Sequence, residues 1–282
     1  DVAGRLEMME KYKLHLFETL PAYLEILGKP DEMAQVVEKY SSHPRLLAWY
    51  GRDEPRDLEL YLRSKDQAAV KSPGKPYTSA FDVPYVIRAL GPYMEIMMVC
   101  TYPVTATVAD PVTAIVEQTA GRIRYAGSFG SKIWNINQAF SLRRAGQYTL
   151  KYPSVEETRF DFFNTLAAGA EGIIYFIYNE EVPCLDGKLR SEEFDITMVD
   201  AWQNPAPGYQ ELGKLAQRWL PVLPATLGAT EQSPYAFDAA ARIVKRSASN
   251  DHGLWWVLAN GNLNQARSVT IPPAADGQII VD

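Results

Sequence analysis

The chain has 282 residues, of which 47% are hydrophobic and 22% charged, and its 34 acidic and 28 basic side chains give a formal net charge of −6. This length can bury a large core and suits one big domain with a small one beside it. An acidic balance without a Lys/Arg-rich run excludes a nucleic-acid binder, whose phosphate partner demands a basic face. No apolar run approaches the roughly 20 residues of a membrane helix, so membrane insertion is not expected.

The opening residues, DVAGRLEMMEK, lack the apolar centre of a signal peptide and read as the tail of a helix. "KLHLFETLP" (13–21) is strand-like. "PDEMAQVVEKY" (30–40) follows with Met33, Val36, Val37 and Tyr40 at helical spacing, so the pair forms a β–α unit. Next come "LLAWYGRDEP" (46–55), the amphipathic "RDLELYLRSKDQAAV", the strand-like "YTSAFDVP" (77–84) and the helix-like "YVIRALG". The charge around Glu59 marks a solvated helix face. "YMEIMMVCTYPV" (93–104) is the most apolar strand, and "DPVTAIVEQTAGRIRYAG" suits a helix with Pro111 at its first position. "KIWNINQAF" (132–140) is another strand. "SVEETRFDFFNTLAAGA" opens with a capping box, Ser154 with Glu157 three residues on. "GIIYFIY" (172–178) is the sixth strand, and "GYQELGKLAQRWLPVL" is a helix after a long loop.

Strands separated by helices imply parallel pairing and an α/β fold. The strand candidates carry polar residues at their C-terminal ends: Glu18, Asp53 with Glu54, Asp82, Tyr102, Gln138, and Tyr178 with Asn179, Glu180 and Glu181. Such a ring favours a (β/α)8 TIM barrel over an open sheet, which would gather polar residues at one switch point beside a glycine-rich phosphate loop. After about residue 230, "ARIVKRSA", "GLWWVLANG", "ARSVTIPP" and "GQIIVD" are short strands without helices between them. The expected organisation is a barrel over 1–229 and a small antiparallel β domain over 230–282.

"SSHPRLLAWYGRDEP", "MVCTYPV", "KIWNINQAF" and "EETRFDFFNTLAAGAEGIIYFIY", in that order, resemble the second half of the barrel of clan A-type glycoside hydrolases and their uncharacterised bacterial relatives, with the resemblance covering about residues 10–225. The resemblance implies a glycosidase acting on an oligo- or polysaccharide. Its fourth strand ends in Asn-Glu-Pro, so Glu54 would be the general acid/base and Asp53 would stand where the family has Asn. Tyr102 resembles the sixth-strand tyrosine. On the seventh strand, where the family carries its nucleophilic Glu, this sequence has Gln138, which cannot attack an anomeric carbon. Three routes stay open. A carboxylate such as Glu18, Asp82, Glu180 or Glu181 acts as base in an inverting reaction. Alternatively, Asp53 and Glu54 work as an adjacent pair with a substrate acetamido group as nucleophile, as in β-hexosaminidases. In the third, the barrel binds sugar without cleaving it.

An apolar strand beside Glu54 would raise its pKa and keep it protonated near neutral pH. By the period of two, Tyr50 and Arg52 share Glu54's inward direction, while Trp49 packs against helices. The competing reading makes Asp53 and Glu54 caps of the following helix. Tyr175 and Tyr178 lie on opposite faces of their strand, with Tyr178 nearer the active end. Trp134 favours the core. Trp255 and Trp256 point opposite ways, so at least one faces the core. His15 packs within its strand, and neither it nor His43 has a metal-ligand spacing. Cys100 and Cys184 form no disulfide framework and read as buried free thiols, with one bridge between them as the alternative. No cofactor is expected, since no metal triad, nucleophile elbow or phosphate loop occurs. A closed barrel has eight strands and six are visible, so the first two β–α units are expected to be missing. The strand edges left open would call for a partner, and an oligomer would cover them. The expected location is extracellular or periplasmic, with a cytoplasmic one left open.

Overall fold

A computed structural model describes residues 2–144, 147–178, 194–199, 204–226, 229–251 and 253–266. In chain order the first elements are α1 (Val2–Tyr12), β1 (Leu16–Glu18), α2 (Leu20–Ile26), α3 (Pro30–Tyr40), β2 (Leu46–Tyr50), α4 (Leu58–Lys71), β3 (Tyr77–Thr78), β4 (Ala80–Phe81), α5 (Pro84–Leu90) and β5 (Ile96–Thr101). There follow α6 (Pro111–Ile115), a π-helical segment (Val116–Ala120), α7 (Gly121–Gly127), β6 (Lys132–Gln138), β7 (Ser141–Arg144), β8 (Gln147–Leu150), α8 (Val155–Ala168), β9 (Gly172–Phe176) and β10 (Phe194–Ile196). The last are α9 (Pro207–Trp219), β11 (Thr230–Asp238), β12 (Ile243–Asn250) and β13 (Gly253–Asn260). The fold is mixed α/β, with parallel strands and a separate antiparallel sheet.

Two compact units emerge. One holds the described residues up to Cys100 together with Tyr125–Trp134, and the other holds Thr101–Arg124 and the described residues from Asn135 onward. In the first, β1, β2 and β3 pair in parallel, as do β4 and β5. The β2 end reaches β4 through the Glu54 N–H, which donates to the Ala80 carbonyl at 3.1 Å. All six residues of β5 are buried, as befits a parallel strand covered on both faces. Met33 and Val37 of α3, one turn apart, are also fully buried. The rings of Phe17 on β1 and Trp134 on β6 meet edge to face at 5.4 Å, which places Trp134 in packing contact within this unit.

The second unit is built on α8. Ser154 accepts from the Glu157 N–H while the Glu157 carboxylate accepts from the Ser154 N–H, and Gly169, at φ +99°, ends the helix in the left-handed conformation that glycine adopts without strain. Phe160 and Ala167 of α8 share a core with Val112 and Ile115 of α6 and with Val244 and Ala259 of β12 and β13. The Arg242 guanidinium donates to both oxygens of Asp110 at 2.7 and 2.8 Å. At Gly261 a Cβ would come within 2.6 Å of Val112. The antiparallel sheet β11–β12–β13 therefore completes the core of α6 and α8.

Several elements differ from the sequence expectation. β1 spans three residues of the expected 13–21, because Leu20 and Pro21 open α2. The segment after β6 folds into the antiparallel pair β7–β8, extended by β10, and β11 forms despite Pro234. The long helix after Pro111 contains a π-helical turn. His15 precedes β1 and is exposed instead of packing within a strand. His43 accepts the Arg45 N–H at Nδ1. Cys100 is buried and in no disulfide, and Cys184 lies outside the described residues, as do "GQIIVD" and nearly all of "ARSVTIPP". Among the described residues, no helix is long and apolar enough to cross a membrane.

Candidate active site

The site grows from the end of β2. Leu46, Ala48 and Trp49 anchor that strand in the core, and Tyr50 is its last residue. The Tyr50 hydroxyl donates to Asp53 Oδ1 at 2.6 Å and accepts the Ala80 N–H at 3.2 Å, so it straps the loop to the start of β4. Burial and the Asp53 charge push the phenol far up, which keeps it a donor. Gly51 follows where a Cβ would lie 2.4–2.6 Å from the Tyr77 ring, a clash that any side chain would create.

The chain then turns, and Glu54 takes φ +43°. A residue with a Cβ in this left-handed region costs on the order of 1 kcal/mol. Pro55 is buried. The helix N-terminus beyond is capped by Asp57, whose Oδ1 accepts the Leu60 N–H at 3.0 Å. Asp57 thus supplies the α4 cap that the competing reading assigned to Asp53 and Glu54.

Asp82 follows directly on β4. Arg56 donates to its two carboxylate oxygens at 3.0 Å each, while the Glu54 Oε2 lies 3.5 Å from the same guanidinium. The Glu54 side chain is 45% exposed and that of Asp82 27%. Partial burial holds the Glu54 pKa above the ordinary glutamate value; the nearby Asp82 and Asp53 charges and a hydrogen bond to Asp82 add to this, and Arg56 opposes it. The ends of β2 and β4 therefore gather three carboxyl groups, one guanidinium and one phenol. Such a cluster can hold and release a proton at a solvent-accessible position.

Other expected site residues in this unit are engaged elsewhere. Glu18 is fully buried; Arg5 donates to its two oxygens at 2.7 and 3.1 Å, and the Leu20 N–H donates at 2.7 Å, so it ties α1 to the start of α2. Arg52 serves Glu25 of α2: its N–H bonds that carboxyl and its charge lowers the pKa, against the burial that raises it. The strict alternation that put Arg52 beside Glu54 ends where the chain leaves strand geometry after Tyr50. Tyr77 also donates to Glu25, at 2.9 Å.

In the second unit, Gln138 is buried and all its polar capacity goes to backbone. Its Nε2 faces the carbonyls of Lys151, Val104 and Phe140 at 2.7, 3.2 and 3.3 Å, and its Oε1 accepts the Val104 N–H at 3.0 Å. It acts as a clasp on the surrounding chain. The Tyr102 ring meets Phe140 edge to face at 4.9 Å and lies 6.3 Å from Phe176. Tyr178 is half exposed and rests its ring edge on Tyr209, whereas Tyr175 is an interior phenol held protonated by burial. Asn179, Glu180 and Glu181 lie outside the described residues. The Trp255 indole donates to Asn250, and Trp256 shares its strand.

Two groups went unread in the sequence. Arg56 sits between two acidic neighbours, and only its spacing from Glu54 could have drawn notice. Asp161 is buried on α8, where Asn137 donates to it at 2.7 Å and desolvation pushes its pKa up to about 7. Nothing in "TRFDFF" marks it as interior. Among the described residues, no group of three or more His, Cys, Asp or Glu could hold a metal ion.

No protein-family model and no curated protein matches the chain. Solved structures do. The β-galactosidase of the psychrophilic Marinomonas ef1 aligns with a TM-score of 0.54 at 12% identity, over 72% of this chain and 44% of its own. A polyextremophilic β-galactosidase from the Antarctic haloarchaeon Halorubrum lacusprofundi gives 0.54 at 14% identity, over 72% and 42%. The β-galactosidase of Bacillus circulans sp. alkalophilus gives 0.53 at 12% identity, over 76% and 41%. The chain thus spans less than half the length of each. Its fold is like that of these glycoside hydrolases.

Proposed function

We propose that the chain is a glycoside hydrolase, part of a (β/α) barrel, that cleaves O-glycosidic bonds of an oligo- or polysaccharide with Glu54 as general acid. The observation that carries this reading is the Glu54 carboxyl at the end of a parallel strand, solvent-accessible and held toward its protonated form by partial burial and two acidic neighbours. Glu54 delivers its proton to the leaving oxygen as the C–O bond breaks and positive charge grows at the anomeric carbon; a water then forms the new C–O bond at that carbon and gives up the proton that restores Glu54. Two catalytic carboxyls need about 5 Å or more between them. Asp82 hydrogen-bonds Glu54 and is too close to serve as the opposing group. Asp53, oriented by Tyr50, is the carboxylate that meets the substrate, and it accepts a hydrogen bond from an N–H or O–H beside the reacting carbon. Arrangement of the parallel strands in a barrel and export from the cell belong to the same proposal.

A second reading, a barrel that binds carbohydrate without hydrolysis, draws on Gln138: a neutral amide spent on backbone groups stands where the resemblance calls for a nucleophile. Release of nitrophenol from a panel of aryl α- and β-glycosides, N-acetylhexosaminides included, separates the two. The hydrolase reading expects turnover of at least one member and a 10²–10⁴-fold loss in Glu54→Gln, the usual contribution of a general acid. Turnover unchanged in Glu54→Gln removes Glu54 from the mechanism. Folded protein that turns over no member and still binds glycans favours the binding barrel.

A further inference from the structure

We propose that Asp82, clamped by Arg56, is the positioning residue of Glu54: it takes the guanidinium for itself and leaves Glu54 a carboxyl neighbour with which to share a proton. The inference rests on the hydrolase reading for its catalytic meaning, and on geometry for its substance. Arg56 is two residues beyond Glu54 and could form a close ion pair with it. Instead both its terminal nitrogens meet Asp82 at 3.0 Å, a fork-on-fork pair, and the Glu54 oxygen is left at the outer limit of a hydrogen bond, 3.5 Å. A carboxylate 3.0 Å from a guanidinium loses its proton easily, while one beside another carboxylate keeps it. The bidentate pair therefore sends Arg56 to Asp82 and spares Glu54.

The rest of the neighbourhood is consistent with this division. Asp53 also faces Glu54, but its Oδ1 is occupied by the Tyr50 hydroxyl of β2. Tyr85 of α5 lies near enough to Arg56 to act on its charge. The Glu54 backbone, bonded to Ala80 and turned into the left-handed region, fixes the carboxyl beside the residue that follows β4. Asp82 touches no reacting atom and acts through Glu54 alone.

The test is a carbon-13 carboxyl NMR titration of Glu54 in the wild type, Asp82→Asn and Arg56→Gln, with the alkaline limb of the pH–rate profile recorded for any aryl glycoside that is turned over. With Asp82 neutral, Arg56 swings to Glu54 and the Glu54 midpoint falls by about one pH unit; with Arg56 neutral it rises by about one. The alkaline limb moves in the same directions. A Glu54 midpoint unmoved in both variants overturns the proposal. Opposite shifts in a protein without glycosidase activity uphold it and reject the hydrolase reading, so the two fail separately.

Discussion

At the end of β2 and the end of β6 the chain presents a polar residue after an apolar strand, and the two ends are built in opposite ways. Beyond Tyr50 the backbone is forced into the left-handed region at Glu54 and the carboxyl is left accessible among other charges. Beyond Asn137 the Gln138 amide is buried and bonded to four backbone groups. Fully satisfied hydrogen bonds define a conformation, whereas strain and incompletely paired charge contribute nothing to stability and persist where a reaction or ligand uses them. The same strand-end position can therefore hold chemistry in one case and architecture in the other.

The comparison can be pressed hardest at Gln138. A Gln138→Glu variant sets a carboxylate against three carbonyl oxygens and should lose on the order of 3–5 kcal/mol at pH 7 without gaining activity, the cost of a buried unpaired charge. Gln138→Ala removes the clasp and strands the Val104 N–H, for a loss of about 2–4 kcal/mol. Urea unfolding measures both. A Gln138→Glu protein that folds normally and turns over glycosides faster would show that this end is also a site.

The next effect concerns Asp161, bonded to Asn137 beside the clasp. Its pKa near 7 in the folded state exceeds the ordinary aspartate value, so between about pH 4 and pH 7 the folded state binds more protons than the unfolded chain. The stability this group contributes should be full below about pH 4 and decline toward pH 7, with a slope approaching 1.4 kcal/mol per pH unit. Asp161→Asn should flatten that slope, as read from unfolding midpoints across the range. The smallest effect is a gain. Glu54→Gly relieves the left-handed backbone and should add about 0.5–1 kcal/mol while abolishing turnover.

The sequence made parts of this legible, for reasons that lie in local chemistry. The α8 capping box is two hydrogen bonds within four residues, and Pro111 opens α6 as its fixed φ allows. The apolar run of β5 could hardly be anything but a buried strand. The β7–β8 hairpin escaped because its strands are short and carry Arg and Gln, and its pairing is set by neighbours and not by period. Glu18 was read as a site residue from its place at a strand end, and Arg52 from alternation. Their partners, Arg5 and Glu25, lie 13 and 27 positions away on helices. Gln138 differs again: its partners are backbone atoms up to 34 residues distant, which carry no residue-type signature. Glu54 stood out because two carboxylates before a proline are locally unusual.

The most direct test of the contrast between the two strand ends is kcat/KM on aryl glycosides for Glu54→Gln and Gln138→Ala, each normalised to folded protein. The account predicts a loss of 10² or more for Glu54→Gln and near wild-type turnover per folded molecule for Gln138→Ala. The reverse pattern, with Gln138→Ala inactive though folded and Glu54→Gln fully active, would contradict it.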